Sequence, residues 1–260
     1  MKIEFIDSHT HLYDEAFNND FNEVIKKCQE AGIKKCILPG EDSTHQDALN
    51  KAADLYPEYL LPCIGVHPSS LNDNWKDELD FVKNNLNSRK YYAIGEIGLD
   101  EHFDKTYLSI QKDVFKEQLR IAYEAHLPVI IHSRDATVDT FEVLETCKKE
   151  GIKIKGIFHA FSGSLETYKK LKTYGDFYFG IGGVLTFKNA KIAKTIIDIP
   201  LEDIVLETDS PYLAPTPLRG SRNASYNIPI IAEKLSQIKN TSIEEIAKIT
   251  TENAESIFDC

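Results

Sequence analysis

Cysteine is sparse and shows no CxxC pair: Cys28, Cys36, Cys63, Cys147 and Cys260 are five in number. An odd set without close pairs excludes a disulfide framework and reads as reduced thiols in a reducing compartment. Positive charge is scarce too, with 30 Lys and Arg against 41 Asp and Glu and a formal net charge of −11. That excludes a broad nucleic-acid-coating surface, which is normally basic, but leaves room for a small phosphate site occupied by cations. No apolar run approaches membrane-spanning length. Lys2, Glu4 and Asp7 interrupt the apolar start, which excludes a signal peptide there. The expectation is a soluble cytoplasmic protein with no membrane association and no obligate protein partner. No Gly/Ser linker, low-complexity tract or charge block marks a boundary. At 260 residues and 42% hydrophobic, the chain suits one large domain, residues 1–260.

What is present is a repeating alternation. Short runs rich in Ile, Val, Phe and Tyr begin near Ile3, Lys34, Leu60, Tyr92, Pro128, Lys155, Phe177 and Asp203. Helical patterns fill the gaps. Phe115, Leu119 and Ala122 share a face on one helix. Ile243, Ile246, Ala247, Ala254 and Ile257 share another, behind a Ser242/Glu245 capping box. Strand and helix in alternation imply a parallel sheet. Eight such units in this length fit a (β/α)8 barrel. A doubly wound open sheet is the alternative, weakened because no glycine-rich dinucleotide fingerprint follows the first strand.

In a barrel the site lies at the C-terminal ends of the strands. The first strand there delivers His9 and His11 from Asp7-Ser8-His9-Thr10-His11, on one face because strand side chains alternate. The third delivers His67, the fourth Glu96 and Asp100, the fifth His132, the sixth His159 and the eighth Glu207 and Asp209. Histidine and carboxylate are the ligands of divalent cations. A lone histidine at a strand end is more often structural; five of the chain's eight histidines in that position is a joint signal. His126, before Leu127-Pro128, reads as a helix-end residue. Glu207 is expected one layer beneath Asp209, as a buried support or a structural ion pair.

These stretches resemble the TatD family of metal-dependent deoxyribonucleases, within the amidohydrolase-like barrels. The matching motifs are Asp7-Ser8-His9-Thr10-His11, Gly65-Val66-His67-Pro68, Gly95-Glu96-Ile97-Gly98-Leu99-Asp100, His132-Ser133-Arg134, His159-Ala160-Phe161-Ser162-Gly163 and Glu207-Thr208-Asp209-Ser210-Pro211-Tyr212. They run in the family's order. The resemblance implies a distorted TIM barrel of the metallo-dependent hydrolase type and two divalent ions. It implies His9, His11, Glu96 and Asp209 on one ion, and Glu96, His132 and His159 on the other, with Glu96 bridging. Two departures stand out. Ala160 replaces a cysteine, which removes a thiol but no ligand. The loop Arg219-Gly220-Ser221-Arg222-Asn223-Ala224-Ser225 keeps the arginines and lacks an acidic residue and a proline.

Paired cations suit phosphodiester hydrolysis, one activating water and the other the phosphoryl or leaving oxygen. The mixed ligands suit Zn²⁺ or Mn²⁺, and Mg²⁺ prefers oxygen, so the metal stays open among the three. Asp209 is the candidate base and Glu96 the bridging catalytic carboxylate. Of only five arginines, Arg134, Arg219 and Arg222 follow strands five and eight and are candidate phosphate contacts. His67 and His102 are further substrate-binding candidates, and Tyr212 is a candidate stacking surface. Few basic residues favour a cleft for a strand end, hence an exonuclease acting on single-stranded or frayed DNA. The alternative is an amidohydrolase-like esterase or deacylase, for example of an aminoacyl ester. A non-catalytic zinc scaffold fits less well, because structural zinc sites are usually cysteine-rich and no cysteine joins this constellation.

Overall fold

The computed structural model describes residues 3–102 and 105–260. The described residues form eight strands: β1 (Phe5–Asp7), β2 (Ile33–Leu38), β3 (Leu60–Pro62), β4 (Ile94–Asp100), β5 (Val129–Arg134), β6 (Ile154–Phe158), β7 (Gly175–Ile181) and β8 (Ile204–Leu206). Every adjacent pair is parallel, in the runs β1-β2-β3 and β4 to β8. All eight expected strands are present, and helices follow in the intervals.

Two seams close the runs into a barrel. At one, Ile64 bridges Ile94, and the Gly95 N–H donates to the Ile64 carbonyl at 2.9 Å. At the other, the Ser8 N–H donates to Leu206 at 3.0 Å and the Asp209 N–H donates to His9 at 2.9 Å. The buried Asp7 carboxylate locks the second seam by accepting from the Thr208 N–H at 3.0 Å and its hydroxyl at 2.5 Å. The eighth strand is short, so its chemistry follows it in a loop held by these bonds. The chain thus has the distorted (β/α)8 architecture, not an open sheet.

The interior is filled by roughly one apolar side chain per strand, including Ile6, Ile37, Leu61, Ile130, Ile157 and Val205. Ala254, Ile257 and Phe258 of the last helix, Ile243–Phe258, pack into the same cluster. That helix plugs the N-terminal end of the barrel. Its start is held by Ser242, whose hydroxyl accepts from the Glu245 N–H at 3.2 Å. A second, larger cluster joins the outer strand faces to the helices; Phe115, Leu119 and Ala122 lie in it, on the helix Leu108–Ala125. That helix ends at His126, a C-cap in the left-handed region with φ 58°. With strands covered on both faces, β4 is buried at every position. Only the C-terminal rim is left for polar chemistry. No helix among the described residues is long and apolar enough to cross a membrane.

Candidate metal centre

His9 and His11 follow β1 directly and turn their rings to one point. Their Nε2 atoms lie 3.2 Å apart. Two imidazole lone pairs facing each other at that distance need a proton or a cation between them. Glu96, third residue of β4, places Oε2 3.2 Å from His9 Nε2 and 3.9 Å from His11 Nε2. Asp209 places Oδ1 3.5 Å from both nitrogens. Ligands about 2.1 Å from a tetrahedral centre would be about 3.4 Å from one another. The donor set fits a divalent cation.

The other oxygen of Glu96 serves a different group. Its Oε1 lies 2.8 Å from His132 Nδ1, 3.2 Å from His159 Nε2 and 3.3 Å from His67 Nε2. Donor atoms converge within 4.8 Å of one another in three triads: His9, His11 and Asp209; His9, Glu96 and His159; His67, Glu96 and His132. The predicted residues are therefore together, with one difference in grouping. His132 and His159 each share Glu96 with a different third residue, and His67, expected as a substrate contact, stands among the donors.

Strand register explains the place of His132. Gly98 lies opposite it in the β4–β5 pairing, and Glu96 and Asp100 flank Gly98 on the same face of β4. The imidazole spans the glycine, with Nδ1 toward Glu96 and Nε2 3.0 Å from Asp100 Oδ2. A Cβ on Gly98 would meet the His132 carbonyl oxygen at 1.9 Å, at φ 141°.

Behind His11 sits a carboxylate that sequence reasoning missed. His11 Nδ1 lies 2.9 Å from Glu41 Oε1 and 3.0 Å from the Tyr13 hydroxyl oxygen. Tyr13 gives its own proton to the Pro39 carbonyl at 2.7 Å. Both oxygens can therefore accept from Nδ1–H, which turns the Nε2 lone pair toward Asp209 and His9. Glu207 is buried beneath the site as expected. It accepts from the Ala160 N–H at 2.6 Å and lies 3.4 Å from His159 Nδ1. Ala160 meets Glu207 through its backbone, at φ 45°.

Charge follows the geometry. Burial works against an ionised Glu96, but His159, His9, His67 and His132 hold it well below the usual carboxylate range. Burial likewise opposes ionisation of Asp209, and His11, His159 and His9 keep it low. Burial pushes His11 down, and Asp209 and Glu41 outweigh it and hold it at about 10. His159 is raised by Glu96 and Glu207 against its burial. His9 is lowered by burial and by His159, whose ring stacks on it at 3.8 Å between centroids. The ring of donors is poised to exchange protons for a cation.

The substrate-contact candidates divide. Arg134 and His102 line a cleft beside the donors, and His102 Nδ1 lies 2.7 Å from Asp135 Oδ2. Arg219 and Arg222 do not line it. Arg219 stacks on Phe187 at 4.1 Å, and Arg222 stacks on Phe17 at 4.7 Å while its two terminal nitrogens hold Asp20 at 2.8 and 2.5 Å. Both guanidiniums are turned to packing and ion pairing, which corrects the expectation of three arginines at the rim. Loop anchoring instead falls to Asn223, which is buried and donates to the Thr208 carbonyl at 2.9 Å.

A sequence model of the TatD-related DNase family matches residues 6–259. The chain is 39% identical over 256 residues to a metal-dependent hydrolase of Bacillus subtilis, YabD, covering 97% of this chain and 98% of that one. It is 32% identical over 262 residues to YcfH of Escherichia coli, likewise described as a metal-dependent hydrolase, covering 97% of this chain and 95% of that one. Among solved structures, the TatD homologue YjjV of Escherichia coli superposes with a TM-score of 0.91 at 27% identity over the whole of both chains.

Proposed function

The chain belongs to the TatD family of metal-dependent hydrolases, and on that premise we propose that it hydrolyses phosphodiester bonds in DNA, as an exonuclease on single-stranded or frayed ends. The observation that carries this reading is Glu96, whose two carboxylate oxygens face two separate sets of histidines. In this proposal His9, His11, Asp209 and Glu96 would hold one divalent ion, and Glu96, His132 and His159 would hold a second. His67, 3.3 Å from the same oxygen, adjoins the second group. Such ions, Zn²⁺, Mn²⁺ or Mg²⁺, would supply Lewis acidity to the phosphoryl oxygens and lower the pKa of water.

The protein's own groups then divide the work. Asp209 stays ionised and accepts a proton from the attacking water as the new P–O bond forms. The bond to the departing nucleoside oxygen breaks, and that oxygen takes a proton from solvent. Glu41 and Tyr13 hold the His11 ring, and Glu207 underlies His159, so the donors meet the substrate without rearrangement. Arg134, on the cleft wall, neutralises a phosphate oxygen. One domain, residues 1–260, carries the whole site, and the five free thiols suit a reducing, cytoplasmic setting.

The test is degradation of end-labelled single-stranded DNA by the metal-loaded protein, with a chelator control and an aminoacyl-ester substrate under the same metal conditions. Mononucleotide release from ends, abolished by chelation, supports the reading. Ester cleavage without strand degradation overturns it, and cutting of closed circles as fast as linear strands overturns its exonuclease part.

A further inference from the structure

The cleft has two lobes that meet at the donors. The smaller, about 310 Å³, is polar and includes Glu41, Ser69 and Ser70. The larger, about 620 Å³, has an apolar wall. His132, His159, Asp209 and Tyr212 line both. A phosphodiester held at the donors can therefore direct one of its two substituents into the larger lobe.

That lobe has the chemistry of a planar aromatic group. Its wall is Phe161, Ile181, Val184, Leu185 and Ile192, with Tyr212, 53% exposed, beside its opening. Among the acids that also line it, Asp135 pairs with His102 and one oxygen of Glu207 accepts from the Ala160 N–H. Apolar walls bury the faces of a base, and Ser133 and Ser162 also line the lobe and offer hydroxyls to its polar edge.

The wall is also built firmly. A Cβ on Gly183 would meet the Leu213 carbonyl oxygen at 2.1 Å, so the turn Gly183–Thr186 lies directly against the loop after β8. The Thr216 N–H donates to the Thr186 hydroxyl at 2.7 Å and ties the same two loops again. Left-handed backbone at Ala160, Asp209 and Leu213 sets the turns that face the lobe. A preformed lobe loses little freedom when filled.

We propose that the larger lobe is a nucleobase site, which seats the base of one nucleotide flanking the scissile phosphate. This assignment rests on the nuclease reading above. The experiment uses metal-loaded protein and single-stranded oligonucleotides carrying an abasic tetrahydrofuran residue on one or the other side of the terminal phosphodiester. Removing the base from one of the two sides should lower kcat/KM about tenfold to hundredfold, as lost base stacking does. Val184→Trp fills the lobe from a half-buried position. It should lower the rate on intact strands to the abasic level and leave the abasic rate unchanged. Equal rates on intact and abasic strands with wild-type protein would overturn the assignment without help from any variant. So would a Val184→Trp loss that is the same on both substrates. No degradation of any strand would remove the nuclease premise itself, a failure distinct from indifference to the base.

Discussion

The Oε1 of Glu41 lies 2.9 Å from Nδ1 of His11, on the nitrogen that does not face Asp209. It fixes which ring nitrogen carries hydrogen. Glu41→Gln should keep the fold and weaken metal affinity by about 10–100-fold. Titration with a competing chelator measures this, and unchanged affinity would leave Tyr13 as the sole orienting group.

Glu96 and Asp209 should fail differently. Glu96→Ala removes the carboxylate shared by the two histidine groups, so metal content and activity should both be lost while circular dichroism is preserved. Asp209→Asn retains an oxygen but not a proton acceptor. Its kcat should fall by at least about 100-fold, with DNA affinity changed much less. Equal losses in turnover and binding would make Asp209 a positioning residue only.

Gly98→Ala is the sharpest test of the strand register. The added methyl would overlap the His132 carbonyl at 1.9 Å, in a backbone region that side chains avoid. Stability should fall by roughly 2–4 kcal/mol, read by denaturant unfolding. Metal content should fall with it, because His132 hangs on the displaced backbone. A fully stable, fully loaded variant would contradict the pairing.

Metal uptake should release protons. In the metal-free chain His11 is held near 10, above its ordinary 6.5, by Asp209 and Glu41 against its burial. Its protonation supports the metal-free fold fully below about 6.5, and that support fades as pH rises through 10. A cation displaces this proton, so apparent affinity should rise with pH between those values. Calorimetry in two buffers of different ionisation enthalpy counts the protons; identical heats would refute the exchange.

The arginines should separate by role. Arg134→Met should raise KM for DNA several-fold with little change in melting temperature. Arg222→Met breaks a half-exposed ion pair with Asp20 and should cost no more than about 1 kcal/mol, with KM unchanged. A raised KM in Arg222→Met would return that residue to the cleft.

Much of this was readable from the chain. Parallel strands buried on both faces show as apolar bursts, so Ile33–Leu38 and Val129–Arg134 begin within a residue of their expected places. His9, His11, Glu96, His132, His159 and Asp209 were marked by falling just where those bursts stop. Glu41 was not, because Pro39 and Gly40 break the alternation that would have carried a facing direction past β2. The partnership of Asp100 with His132 was less visible, although the spacing of Asp100 from Glu96 on one strand face was the available signal. Arg222 misled for another reason. An arginine after a strand end reads as a phosphate ligand, and its true partner, Asp20, lies 202 residues away in sequence and meets it only through the closed barrel.

The bond between Asp7 and Thr208 spans 201 residues of chain. During synthesis, His9 and His11 leave the ribosome long before Asp209 exists. Cation capture by the complete donor set is then a late event in the life of the molecule, and it waits on the seating of the last strand against the first. Bound metal should accordingly serve as a tally of finished rings: a nascent chain stalled before β8 can hold a cation only loosely, however well its earlier strands have paired.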